Sequence, residues 1–513
     1  MNGAEALLRT LCAAGVDSCF SNPGTSEMHF VAAMDRVAGM RGIPVLAEGV
    51  ATGAADGYGR MARKPAATLL HCGPGLANGI ANLHNARRAR SPVLNLIGDL
   101  SHTHRPADPP LASDIESLAR VVSSWTRVAR DVHAVAGDGA AAVAAAMGAG
   151  KGIASLVLPS DVCWTEGAQP AVPQVAAPAS AVPSSAIARA VEWTALGAQT
   201  VLLLGGEALY GEGLAFAGAI ARRTGARLMA ESAIARIERG RGRPAVARVP
   251  YAPAAAIEAM ASVGKLLLVG ARRPVFSFAG PDGRSRPERT DLEVAVLAHA
   301  EEDIPDALAR LAAALGCAPS PPHAVSVERV PPATGAVTPA SFVQSLAALL
   351  PEAAIVVDES VSFGRDLFPH MGGAAPHDWL QLTGGAIGSG MPMATGAAVA
   401  CPGRRVVNLQ ADGSALYTVQ SLWTQAREGL DVTTVILSNR RYAILFDEMR
   451  RVGAAASRTA SDLLSLERPE IDWLRMARAF GVEAERADTM AAFNAAFGRS
   501  LRARGPRLIE LVL

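Results

Sequence analysis

The chain has little of what marks several protein classes. Only 4% of its 513 residues are aromatic, 19% are charged, and the formal net charge is +1. No basic run is long enough to track a phosphate backbone, which argues against nucleic acid as a partner. The cluster Arg87-Arg88-Ala89-Arg90 reads instead as a solvated helix end. Six cysteines are scattered without a Cys-x-x-Cys pair, so no zinc site is indicated and a reducing compartment is expected. The Ala-rich run at 140–149 is too short and too weakly apolar to span a bilayer. Glu5 and Arg9 fall where a signal peptide would carry its apolar core. A soluble cytoplasmic protein without a membrane partner is the expectation.

What is present is a small-residue core. Half of the residues are hydrophobic, and with so few aromatics Ala, Val, Leu and Gly must build the interior. The length allows about three domains. Two Pro/Ala-rich stretches, 169–185 and 318–339, read as linkers, giving blocks at 1–168, 186–317 and 340–513. Each block alternates short apolar runs with helical patterns. The predicted fold class is therefore α/β, with three doubly wound parallel-sheet domains. The apolar runs 200–204 and 265–269 predict buried strands in the middle block. They end in glycines but lack a Gly-x-Gly-x-x-Gly run, and the block reads as mainly structural.

Chemistry concentrates in the first and third blocks. An apolar run ends in Gln410-Ala411-Asp412-Gly413-Ser414, and a second, 432–437, ends in Ser438-Asn439-Arg440-Arg441. Both read as buried parallel strands joined by a crossover helix at 417–428. A carboxylate and a carboxamide then stand at neighbouring strand ends, where open α/β sheets bind ligands. Two such oxygens suit Mg²⁺ bridging a diphosphate, with Gly413 and Ser414 offering N–H and hydroxyl groups to the phosphates. Far upstream lies Glu48, followed by Ala55-Asp56-Gly57-Tyr58-Gly59-Arg60.

Together these stretches resemble the Gly-Asp-Gly-Ser…Asn and Glu…Ala-Asp-Gly-Tyr-Ala-Arg signatures of thiamine diphosphate (ThDP) enzymes, with Ala411 in place of a Gly. The three-block layout resembles the pyruvate oxidase/acetolactate synthase/benzoylformate decarboxylase group over essentially the whole chain. That resemblance implies pyrimidine-binding, middle and diphosphate-binding domains. It also implies a homodimer or homotetramer with sites between subunits. By it, Glu48 bonds the aminopyrimidine N1′, the Gly385 carbonyl accepts from the 4′-amino group, and Ile387 props the bent cofactor. Asp412, Asn439 and the Arg441 carbonyl would hold Mg²⁺. Gly413, Ser414 and Ser362 would contact the diphosphate, and Tyr442 would border the cofactor and substrate.

Finer motifs bear on the branch. Asn22-Pro23-Gly24-Thr25-Ser26-Glu27 resembles the loop beside the thiazolium in benzoylformate decarboxylases, which implies that Thr25 or Ser26 binds the substrate's carboxylate or carbonyl oxygen. His71, in His71-Cys72-Gly73-Pro74-Gly75, aligns with their active-site histidine, and its expected role is proton transfer. The N-terminal part resembles the short acetolactate synthase large-subunit-like proteins of the IlvX type. Asp99, however, replaces the Gln of true acetolactate synthases, and FAD is not supported. The first expectation is a ThDP- and Mg²⁺-dependent, acetolactate synthase-like decarboxylase and carboligase acting on a small 2-oxo acid such as pyruvate. A non-ligating decarboxylase and a non-catalytic ThDP-binding paralogue are the alternatives.

Overall fold

The structure is a computed structural model that describes residues 1–280, 282–319, 330–455 and 457–513. The first sheet holds β1 (Ser18–Asn22), β2 (Arg41–Pro44), β3 (Ala66–Leu70), β4 (Val93–Asp99), β5 (Trp125–Val128) and β6 (Ile153–Pro159). Its order is β2-β1-β3-β4-β6-β5, and all pairings are parallel. Every residue of β3, β4 and β6 is buried. Helices cover both faces of the sheet, so these strands read as continuous apolar runs rather than alternations.

The second sheet holds β7 (Thr200–Leu204) and β8 (Arg227–Ala230). The next strand, β9 (Ile237–Arg239), leaves it, and β10 (Ala247–Arg248), β11 (Lys265–Val269) and β12 (Glu293–Ala298) return to it. The third sheet holds β13 (Ile355–Glu359), β14 (His377–Gln381), β15 (Val406–Ala411), β16 (Val432–Ser438), β17 (Glu483–Ala487) and β18 (Arg507–Val512). Its order is β17-β18-β16-β15-β13-β14-β9.

Two features depart from a simple run of separate parallel sheets and single crossover helices. From the middle block, β9 pairs antiparallel with β14, placing Ile237 opposite Trp379 at the edge of an otherwise parallel sheet. Both side chains are buried in one core that also takes Leu202, Ile304 and Phe342, so the middle and third blocks share apolar interior. The crossover at 417–428 is not one helix. A turn of helix, Asp412–Ala415, is followed by loop, and the helix proper is Ser421–Arg427. Within the interruption the backbone makes three-residue turns, and Thr418 Oγ1 donates to the Gly388 carbonyl at 2.8 Å.

The linker at 169–185 carries no regular element until helix Ser184–Thr194, and most of the second linker lies outside the described residues. Among the described residues no helix is long and apolar enough to cross a membrane.

The Asp56–Arg60 motif proves to be a clamp. Arg60 pairs with Asp56 through Nε at 2.8 Å and Nη2 at 2.6 Å. Its Nη1 donates to the Gln381 carbonyl at 2.7 Å, and Nη2 also reaches Thr383 Oγ1 at 3.1 Å. The pair is buried, and multiple partners offset its desolvation. Helix Glu48–Ala62 meanwhile lies tight against helix Gly390–Ala400. A Cβ on Gly57 would fall 2.1 Å from the Met393 carbonyl oxygen, and one on Gly396 would fall 1.8 Å from that of Ala54. The first block is thus anchored beside the residues that lead into the Gly384–Gly388 loop.

Candidate active site

Four strand ends of the first sheet converge on one cluster. Glu48 opens its helix just beyond β2 and is half-buried. Its Oε1 accepts from Asn22 Nδ2, at the end of β1, and its Oε2 accepts from Asn78 Nδ2, both at 3.1 Å. His71 follows β3 and caps the helix Cys72–Ala89. The two site residues are close: a Cβ built on Gly75 would lie 3.5 Å from Glu48 Oε1 and 3.4 Å from His71 Cβ.

His71 is held by a carboxylate. Its Nδ1 lies 3.0 Å from Oε2 of Glu27, which is 2% exposed, and 3.1 Å from Ser26 Oγ. Ser26 Oγ donates to Glu27 Oε1, and the Gly24 amide donates to Glu27 Oε2 at 2.7 Å. Space for this carboxylate comes from β4, because a Cβ on Gly98 would sit 1.7 Å from Glu27 Oε1. Glu27 was not singled out from the sequence. The available signal was its place in the same loop as Ser26, but its contact with a residue 44 positions away is tertiary. Thr25 faces solvent and makes no side-chain hydrogen bond among the described residues, so it stands apart from the cluster.

Cys72 has φ +50°, a strained conformation for a residue other than glycine. Its Sγ lies 3.3 Å from Ser26 Oγ, and burial pushes the thiol up to about 11. It therefore stays protonated at neutral pH and is no nucleophile. Asp99, the departure at the end of β4, is buried and paired with Arg105, whose Nη2 donates to the Ser113 carbonyl at 2.7 Å. It pins the 100–113 loop.

In the third sheet, register brings the expected pair together. β15 and β16 are neighbours with Ala411 opposite Leu437, so Asp412 and Asn439 leave adjacent strand ends. Asp412 is buried; its Oδ2 accepts from the Arg440 amide at 2.6 Å and its Oδ1 from the Gly413 amide at 2.8 Å. Burial raises its pKa, and those amides oppose the rise. Asn439 Oδ1 accepts from the Arg441 amide at 3.1 Å, and Arg440 takes φ +56° to form the turn. Ala411 is harmless: its φ −67° and ψ 143° suit any residue, and its carbonyl accepts from Ser414 Oγ at 3.0 Å. The Tyr442 ring lies on Gly413, where a Cβ would fall 2.5 Å from it. The Arg441 side chain is exposed.

Gly385 and Gly388, at φ +83° and +90°, bracket the half-exposed Ile387. The adjoining loop is carried by Asn85, whose Nδ2 donates to the Ala386 carbonyl at 2.7 Å. Ser362 follows Val361, which has φ +48°, and its hydroxyl finds no partner among the described residues.

Two family models match the parts of the chain that carry the two halves of this site. Residues 1–116 match the model for the thiamine pyrophosphate enzyme N-terminal TPP binding domain, and 365–511 match its C-terminal TPP binding domain. The chain is also 48% identical, over 100% of its length and 99% of the relative's, to IlvX of Mycobacterium tuberculosis, provisionally named an acetolactate synthase large subunit. The chain belongs to the thiamine pyrophosphate enzyme family. Within that family, the benzoylformate decarboxylase of Pseudomonas aeruginosa is 27% identical over 97% of this chain and 96% of its own. The fold is shared with a Rhodococcus jostii thiamine diphosphate-dependent 4-hydroxybenzoylformate decarboxylase, with a TM-score of 0.87 at 23% identity over 100% of this chain and 99% of that one.

The residues present fit the family's cofactor. Asp412 and Asn439 offer hard oxygen donors at adjacent strand ends, as a metal-bridged diphosphate requires. Ile387 leaves apolar surface uncovered beside two glycines, as a ring system needs. Glu48 offers a carboxylate whose hydrogen-bond donors among the described residues are the carboxamides of Asn22 and Asn78.

Proposed function

We propose that this thiamine pyrophosphate enzyme is a ThDP- and Mg²⁺-dependent decarboxylase of a small 2-oxo acid. The observation that carries the reading is the contact of His71 Nδ1 with the buried carboxylate of Glu27, a short way from Glu48. ThDP, when bound, supplies a nucleophilic C2 and an electron sink for the carbanion left by CO₂. Asp412, Asn439 and the Arg441 carbonyl would hold Mg²⁺, with Gly413, Ser414 and Ser362 toward the diphosphate. Gly385, Ile387 and Tyr442 would receive the ring system.

The chain's own residues do the proton work. Glu48 would hold a proton at the aminopyrimidine N1′. With Glu27 engaging Nδ1, the Nε2 of His71 is the ring nitrogen left to take or return a proton at the substrate's former keto carbon. Ser26, on the same loop, would hydrogen-bond the substrate's carboxylate or carbonyl oxygen. The net reaction consumes a 2-oxo acid and a proton and releases an aldehyde and CO₂.

Transfer to a second carbonyl, as in an acetolactate synthase, is the second reading. The 48% identity to IlvX favours it. Against it stands Asp99, which occupies the Gln position and is engaged by Arg105. Both readings require two copies of the chain, since by family likeness the Glu48 face of one protomer meets the Asp412 face of another. NMR product analysis with ThDP, Mg²⁺ and either pyruvate or benzoylformate separates the two. Aldehyde alone supports the decarboxylase, a 2-hydroxy ketone or acetohydroxy acid supports ligation, and no turnover of any 2-oxo acid refutes both.

A further inference from the structure

Glu359 ends β13 between β14 and β15, fully enclosed at 2% exposure, and no cation pairs with it among the described residues. Three N–H donors converge on it instead. Its Oε1 accepts from the Gly388 amide at 2.7 Å. Its Oε2 accepts from the Gly390 amide at 2.5 Å and from Gln410 Nε2 at 3.0 Å. Gln410 Nε2 also lies 2.6 Å from Ser414 Oγ. The approach is possible because residue 390 has no side chain: a Cβ there would fall 2.9 Å from Glu359 Oε2 and 2.2 Å from Gln410 Oε1.

Those donors belong to two separate parts of the site. Gly388 follows Ile387 on the loop after β14 and Gly390 opens the helix Gly390–Ala400 that continues it, whereas Gln410 lies near the end of β15 and Ser414 on the turn beyond, on either side of Asp412. Among neutral and charged side chains of this length, only a carboxylate accepts on both oxygens without donating. Glutamine would turn an amide N–H toward one set of donors. Leaving such buried groups unpaired is costly.

We infer that Glu359 is a positioning residue that ties the Ile387 loop to the Asp412 turn, so that the two surfaces receiving the cofactor's rings and its diphosphate are set by one carboxylate. This rests on the ThDP site proposed above. It touches neither cofactor nor substrate, and it acts through the Gly388 and Gly390 amides and through Gln410.

The test has two arms. In the first, ThDP affinity at saturating Mg²⁺ is measured by fluorescence quenching for wild type, Glu359→Gln and Glu359→Asp. Glu359→Gln is expected to weaken ThDP binding at least about tenfold while the circular dichroism spectrum is retained, and Glu359→Asp to recover part of the loss. Binding within twofold of wild type in Glu359→Gln overturns the proposal. The second arm uses cofactor-free wild type, so it stands even where the variant does not fold or where the protein binds no ThDP. Hydrogen exchange should find the Gly388 and Gly390 amides protected at least about a hundredfold more than the Gly385 amide. Equal exchange at the three overturns the clamp. Failure of wild type to bind ThDP, with the protection intact, would instead refute the cofactor reading.

Discussion

His71 Nδ1 sits 3.0 Å from Oε2 of Glu27, a carboxylate buried beneath the loop that also carries Ser26. The pairing fixes which ring nitrogen is free and how the imidazole is oriented, as buried carboxylates do for catalytic histidines generally. Glu27→Gln keeps the volume but loses the charge. It is expected to lower kcat by about 10²-fold with ThDP affinity unchanged. Steady-state kinetics alongside cofactor titration checks the split.

Gly98 lends a second handle on the same pair. A Cβ there would lie 1.7 Å from Glu27 Oε1 and 2.7 Å from Ser26 Oγ, so Gly98→Ala must push the carboxylate away from His71. The expected result is a loss of activity like that of Glu27→Gln, with about 1–3 kcal/mol lost to overpacking. Denaturant titration and kinetics on the same sample test it.

The metal turn yields a binding prediction. Mg²⁺ and ThDP together, at about 100 times Kd, should stabilise wild type by about 2.7 kcal/mol. Asp412→Asn should remove most of that gain, because the group nearest the Arg440 amide is no longer anionic. EDTA should have the same effect on wild type. Thermal melts with and without the ligands measure both.

Much of this arrangement is legible in the sequence alone. Asp412 and Asn439 follow apolar runs that could only be buried strands, and parallel pairing of β15 with β16 brings them together. Glu48 and His71 were legible only through the motifs they share with the family, and the structure stands each just past a strand end. The broken crossover was not, because its tight turns go with a tertiary contact, the Thr418 hydroxyl on the carbonyl of Gly388. Nor was β9, three residues whose partner strand lies well over a hundred positions on. Glu27 and Glu359 stood in plain view beside Ser26 and Ser360. Nothing local distinguishes a carboxylate that turns inward to meet distant donors from one that faces water.

Glu359 also shapes stability against pH. Burial pushes its carboxyl from 4.5 up to about 7, so the native state holds the proton more tightly than the unfolded chain does. The net cost of ionising it in the native state is therefore absent below pH 4.5 and grows as pH rises through 7 to at most about 3 kcal/mol, with the Gly388, Gly390 and Gln410 N–H groups already offsetting part of the desolvation. His377, held down to about 4 by burial, opposes this by losing stability as pH falls below 6.5. Glu359→Gln leaves His377 in place. The difference in unfolding free energy between wild type and variant should thus slope across pH 4.5–7 and flatten above it, as denaturant titrations at stepped pH would register.

Activation of ThDP through Glu48 can be tested without knowing the substrate. The measurement is deuterium exchange at the C2 position of ThDP bound with Mg²⁺, followed by acid-quench NMR for wild type and Glu48→Gln. The prediction is exchange orders of magnitude faster than in free cofactor for wild type, falling close to the free rate in the variant. Exchange by wild type no faster than free ThDP, or equal rates in the two proteins, would contradict it.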